Sequence, residues 1–208
     1  MRKAVVIDLD GTLVATNTFT RFVSYLFFLL LKKGKIKDAA AIAWAVMLRK
    51  LRRIPHSKAK HMIMSVANCN ITPEEYHTFA TLMARYARPQ VMNLIKELES
   101  RGHVAVLATA APEEYSVTLG ALLGIGHTVA TIHTDSYENY SECKEGHKFD
   151  AVNRLCSSLG CQTGTVITDH HHDLPLMRQP GVDNILICPD SATLQLLQQL
   201  SIPYSILD

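Results

Sequence analysis

The segment AVVIDLDGTLV, Ala4 to Val14, runs a hydrophobic stretch directly into two acids one residue apart, Asp8 and Asp10, followed at once by Gly11 and Thr12. A β-branched run that stops at charges and glycine reads as a buried parallel strand, Lys3 to Ile7, carrying the acids at its carboxyl end. Two like charges there are unfavourable. At an effective dielectric of about 20, unit charges about 4 Å apart repel by roughly 4 kcal/mol, so something positive belongs between them.

Similar short apolar runs recur at 103–109 (HVAVLAT), 127–132 (HTVATI), 165–169 (TVITD), 184–188 (NILIC) and 204–207 (YSIL). Helical patterns separate most of them. RPQVMNLIKELESRG places Val91, Leu94, Ile95 and Leu98 at helical spacing, with Pro89 near its start and Gly102 as its stop. PEEYSVTLGALLG opens on Pro112 and two acids that suit a helix N-terminus. Phe149, Val152 and Leu155 form the stripe of the next helix, and Ser191 is positioned to cap the last, TLQLLQQL. Alternation of this kind predicts an α/β fold: a Rossmann-like parallel sheet with helices on both faces.

The interval from 17 to 88 breaks the alternation and reads as all helix. One segment runs through Leu31, a break falls at Lys33 to Lys35, and a second segment spans Asp38 to Arg53 before Pro55. Further helices start at Ser57 and at Thr72, where Thr72 and Glu75 have the spacing of a capping box. The predicted division is therefore an α/β core of residues 1–16 and 89–208 with an inserted helical cap, 17–88.

Charge is placed unevenly. From Arg21 to Lys60 there are eleven Lys or Arg against one acid, Asp38, in a chain whose formal net charge is only +2. This points to an anionic partner for the stretch, a phosphorylated ligand or a lipid surface, against the plainer reading of a solvated helix face. No zinc-finger spacing or RNA-recognition signature accompanies the charge, so no nucleic-acid partner is expected. Five cysteines without CxxC spacing fit a reducing compartment, and the apolar run after MRK is too short for a signal-peptide core, so cytoplasm is expected. Phe22 to Leu31 is ten residues long, well short of the roughly 20 that span a bilayer.

In an open α/β sheet, ligands bind at the carboxyl ends of the strands. The polar residues predicted there are Asp8 and Asp10, Thr109, and Asp169 with Asp173 four positions on; Lys144 and Lys148 precede the third core helix. DLDGT, the hydroxyl of LATAAPEEY, the lysine of EGHKFDAVNRL and TDHHHDLPLM together resemble, in order, the four motifs of the haloacid dehalogenase superfamily. The helical insertion between the first two motifs is similar to that of the phosphoserine phosphatase subgroup. The resemblance spans essentially the whole chain.

That resemblance implies a phosphoric monoester hydrolase whose Mg²⁺ is held by Asp8, the Asp10 backbone carbonyl and Asp169, with Asp173 in support. It implies Asp8 as nucleophile and Asp10 as general acid and base. Gly11, Thr12, Thr109, Ala110 and Lys148 make up the implied phosphate-binding set, and Asn17, Phe19 and Arg21 are the candidates for substrate contact from the cap. The chemistry stands beside the likeness: a carboxylate attacking a phosphate monoester must overcome charge repulsion, which a hard, oxygen-ligated cation relieves. A calcium loop would follow a helix rather than a strand. Lys148 is preferred to Lys144 because a helical pattern begins immediately after it.

Three features depart from the subgroup's pattern. Asn17 stands where phosphoserine phosphatases carry a glutamate for the substrate amine, which argues against phosphoserine. His170, His171 and His172 interrupt the last motif, as loop histidines at the mouth of the site or as a transition-metal cluster. Ala110 and Ala111 replace serine or glycine. The expected substrate is a small phosphorylated metabolite; the alternatives are a phosphomutase using the same acids, or a binding protein whose basic cap meets an anionic surface, including peripheral contact with a membrane.

Overall fold

The computed structural model describes residues 2–207. Six strands, β1 (Arg2–Ile7), β2 (Val104–Pro112), β3 (His127–Thr131), β4 (Cys161–Thr168), β5 (Asp183–Ile187) and β6 (Ser205–Leu207), pair in parallel in the order β3-β2-β1-β4-β5-β6. The chain builds outward from β1 in one direction, then crosses to β4 and builds in the other. The switch point lies beside β1, where the carboxyl ends of the strands open a crevice.

The two faces of β1 show why both sides are covered. Val5 and Ile7 join a cluster with Val91 and Ile95 of α5 (Pro89–Ser100) and with Tyr115 and Leu119 of α6 (Glu113–Leu122). Ala4 and Val6, pointing the other way by strand alternation, meet Val152 and Cys156 of α7 (Glu145–Ser158). On that face also lie Leu176 of the short α8 (Leu174–Met177) and Leu197 of α9 (Ser191–Gln199). This is the doubly covered parallel sheet expected from the alternating pattern.

Some boundaries differ from the sequence reading. α7 begins at Glu145, so Lys148 sits inside its first turn rather than before it. β4 starts at Cys161, four residues early, because its opening residues pair with Arg2, Lys3 and Ala4 of β1. The cap of α9 is Asp190, whose extended backbone lets its Oδ1 accept the Thr193 N–H at 2.7 Å; Ser191 is already helical.

Between β1 and α5 lie four helices: α1 (Thr18–Lys32), α2 (Ile36–Lys50), α3 (His56–Asn68) and α4 (Pro73–Ala84). The Thr72 capping box forms in both directions, Glu75 N–H to Thr72 Oγ1 and Thr72 N–H to Glu75 Oε2. The hydrophobic run of α1 buries Phe22, Leu26 and Leu30 on one side. Phe22 packs edge-on to Phe79 at 5.1 Å and tilted on Tyr115 at 5.2 Å, so α1 is seated on both α4 and α6. α3 is tied to the segment after β3: His61 Nε2 meets the Thr134 carbonyl at 2.8 Å, and the Ser57 and Tyr137 hydroxyls are 2.9 Å apart. Among the described residues all five cysteines are free, and no helix is long and apolar enough to cross a membrane.

Candidate active site

The acids leave β1 through a tight loop. The Gly11 N–H donates to the Val14 carbonyl at 2.9 Å, and the Leu13 and Val14 amides return to the carbonyls of Asp8 and Leu9. Gly11 holds φ +82°, in the left-handed region that favours glycine, and a Cβ placed there would collide with the Asp169 carboxylate. The loop therefore brings the first motif against the end of β4.

Lys148 supplies the positive charge that the paired acids require. Its Nζ donates to Asp8 Oδ1 at 2.8 Å and lies 2.7 Å from Asp173 Oδ1, an ion pair off the axis of a hydrogen bond. Asp173 is itself oriented by the Thr168 hydroxyl, which donates to its Oδ2 at 2.7 Å. Burial alone would lower the ammonium's pKa, but Asp173 and Asp8 outweigh it and hold Lys148 well above the ordinary lysine value. Burial pushes the Asp8 carboxyl up to about 7, with Lys148 opposing and the charges of Asp173 and Asp169 adding to the rise. Asp169 is pushed up to about 6, again chiefly by burial, despite the Thr12 hydroxyl donating to its Oδ1 at 3.3 Å.

Asp10 is held apart from this cluster. The Thr18 N–H at the head of α1 donates to its Oδ1 at 2.6 Å, and burial raises its pKa against that bond. Asp8, Asp10, Thr109, Ala110, Lys148 and Asp169 all border one cavity of about 390 Å³. Thr109 is buried and accepts the Ala111 N–H at 3.0 Å, leaving its own hydroxyl proton free to donate among the described residues.

The roof of the cavity comes from the helical insertion. Phe19 and Asn17 border it, but Asn17 Oδ1 is occupied at 2.8 Å by both the backbone and the hydroxyl of Thr20, capping α1. Lys60 and Glu142 are among the lining residues that the sequence does not single out. Lys60 of α3, 3 % exposed, donates to Glu142 Oε1 and to the Ala110 carbonyl, each at 2.7 Å. This buried pair joins the insertion to the core beside the phosphate-binding candidates. In the sequence Lys60 is one of a basic run, and its partner lies 82 positions away.

Three candidates turn elsewhere. The Gly11 amide is taken by Val14 and the Thr12 hydroxyl by Asp169, so neither of those groups is free for a phosphate oxygen. Arg21 does not border the cavity: its Nε donates to Thr16 Oγ1 at 3.3 Å and its guanidinium lies over the Tyr86 ring. Of the three histidines, His170 and His172 border the cavity, while His171 Nδ1 pairs with Thr193 Oγ1 at 3.1 Å.

The donor set suits a hard divalent cation. Three carboxyl groups, of Asp8, Asp169 and Asp173, surround the Lys148 ammonium, with Asp10 beside them on the same cavity, and burial raises Asp8, Asp10 and Asp169 alike. Oxygen donors with an excess of negative charge match Mg²⁺ coordination chemistry.

A profile of the haloacid dehalogenase-like hydrolases matches residues 5–178. No curated protein matches the sequence. Solved structures do. A protein of unknown function from Bordetella pertussis Tohama I superposes with TM-score 0.78 at 15 % identity, covering 100 % of this chain and 99 % of its own. A phosphoserine phosphohydrolase-like protein from Francisella tularensis SCHU S4 gives TM-score 0.55 at 16 % identity, covering 98 % and 94 %. A phosphoserine phosphatase solved as a phospho-aspartyl intermediate analogue gives 0.61 at 16 %, covering 99 % and 93 %. At such identities the neighbours speak to the fold, and the fold they share is the one assembled here around Asp8. With the profile spanning well over half its length, the chain belongs to the haloacid dehalogenase-like hydrolase family.

Proposed function

We propose that the protein is a Mg²⁺-dependent phosphatase that hydrolyses a small phosphate monoester through an aspartyl phosphate on Asp8. The observation that carries this reading is a part-buried carboxylate with one oxygen pinned by Lys148 and the other unpaired among the described residues, at the base of a cavity that also holds a second acid. Residues 1–16 and 89–208 act as the catalytic core and 17–88 as a cap that roofs the cavity.

Asp8 attacks phosphorus with its free carboxylate oxygen, and the bond to the leaving oxygen breaks as the new P–O bond forms. Lys148 offsets charge on Asp8 and the phosphoryl group, while Asp173 and Thr168 keep the ammonium in place. Asp10, whose burial favours the protonated form, gives its proton to the leaving oxygen. It then takes a proton from the water that attacks phosphorus, and the acyl phosphate opens to restore Asp8. Thr109 donates to a phosphoryl oxygen. Asp8, Asp169 and the Asp10 carbonyl would hold Mg²⁺, which supplies charge neutralisation between nucleophile and phosphate when bound.

Asn17, committed to capping α1, is a neutral lining group rather than an acid for a substrate amine, which disfavours phosphoserine. Five free cysteines agree with a cytoplasmic enzyme. A panel of phosphate esters assayed with and without Mg²⁺ tests the reading. Release of inorganic phosphate that stops on chelation is the expected result; isomerised sugar phosphate would make the enzyme a phosphomutase, and no turnover of any ester would reject the proposal.

A further inference from the structure

We propose that the outer face of α2, together with the turn that joins it to α1, docks the protein onto an anionic membrane surface. The buried side of α2 is marked by Ala39, Ile42 and Ala45. Ile36, Ala40, Trp44, Met47 and Leu51 recur at intervals of four, four, three and four residues, one continuous stripe on the opposite side. A helix on a globular surface ordinarily turns polar residues outward. Here the outward stripe is apolar: Ile36 is 69 % exposed, Trp44 54 % and Leu51 62 %, and Phe28 and Leu31 are exposed just before the turn. No other described residue covers these side chains.

The borders of the stripe identify its partner. Lys32 and Lys37 stand at the turn, and Lys50, Arg52 and Arg53 at the far end, all exposed and none in an ion pair with another described residue. Lys33 and Lys35 are left out of this set because Glu75 and Asn70 hold them. A second copy of the chain would bring these cations against their own images, with only Asp38 to answer them. An anionic lipid surface accepts both features together: apolar side chains enter the boundary between headgroups and acyl chains, Trp44 sits at that interface, and the cations meet lipid charge. Because α3 begins at His56, a cavity-lining residue five positions after Leu51, the docked face and the cavity rim share one short connection. This inference does not depend on the catalytic reading.

Trp44 is the only tryptophan, so its emission reports the stripe directly. The full-length protein is mixed with phosphatidylcholine vesicles containing about one-third phosphatidylglycerol, and both flotation and tryptophan emission are followed. Flotation and a blue-shifted emission are expected. Both should weaken by about tenfold or more with pure phosphatidylcholine, or in about 0.5 M salt. Met47→Glu with Leu51→Glu, and separately Lys37→Glu with Lys50→Glu, should each lower partitioning by about tenfold or more while leaving the thermal unfolding midpoint at the parent value. No flotation, equal flotation on uncharged vesicles, or variants that bind like the parent would overturn the proposal. So would a blue shift that grows with protein concentration without vesicles and tracks a dimer in sedimentation, which would assign the stripe to a second copy.

Discussion

Replacing Asp8 with asparagine is expected to lower phosphate release by roughly 10⁴- to 10⁶-fold, the scale seen when a covalent nucleophile is removed. The fold should survive. In the absence of metal, Asp8 carries an unfavourable burial and the repulsion of Asp173 and Asp169, while Lys148 keeps its second partner, Asp173. An amide at position 8 relieves the repulsion and fills the same space. Metal-free Asp8→Asn should therefore unfold at or above the parent's temperature at pH 8, a site where activity is held at the expense of stability. Initial rates and thermal unfolding on the same preparation check both halves. Turnover within tenfold of the parent would remove Asp8 as the nucleophile; lost activity with a large drop in unfolding temperature would make its role structural.

Lys148→Met should reverse that balance. The ammonium lies within 2.8 Å of Asp8 and 2.7 Å of Asp173, and its loss leaves buried carboxylates facing one another. Breaking a buried pair from one side costs about 3–5 kcal/mol, so urea unfolding should shift by that amount as turnover disappears. Adding Asp173→Asn removes one stranded charge. The double variant is expected to regain a large part of the stability and none of the activity, which separates the lysine's support of the fold from its work on the phosphoryl group. Recovery of turnover in the double variant would show that Lys148 only neutralises Asp173.

What could be read from the sequence was local or periodic. The acids of DLDGT stand at the end of a continuous apolar run, and the Thr72–Glu75 box spans four residues, so both are decided within a few positions. The parallel sheet covered on both faces followed once the alternation and its helical interruption were seen; its strand order did not. What escaped depends on distant partners. Thr12 turns from phosphate to Asp169, 157 positions on, and Lys60 is buried only because Glu142 meets it. The early start of β4 comes from pairing with β1 around Gly164, where any Cβ would strike the Lys3 side chain; propensity alone does not make Gln162 and Gly164 strand residues. Asn17 has helical and catalytic readings that are the same in sequence, and capping of α1 occupies its oxygen.

The carboxyls of Asp8, Asp169 and Asp173 outnumber the Lys148 ammonium among them, an imbalance that a bound divalent cation would offset. Asp8 at about 7 and Asp169 at about 6 are raised above the unfolded carboxylate value of 3.8, so the metal-free fold binds protons that the unfolded chain does not. Their contribution to stability is greatest at low pH and is lost as pH rises from about 4 through about 7. The most direct test is the Mg²⁺-induced shift in unfolding temperature at pH 5 and at pH 8, in the parent and in Asp169→Asn. A shift that is large at pH 8, small at pH 5 where protons already neutralise the cluster, and mostly abolished in Asp169→Asn is the predicted result. A shift that is absent, equal at both pH values, or unchanged in the variant would contradict it.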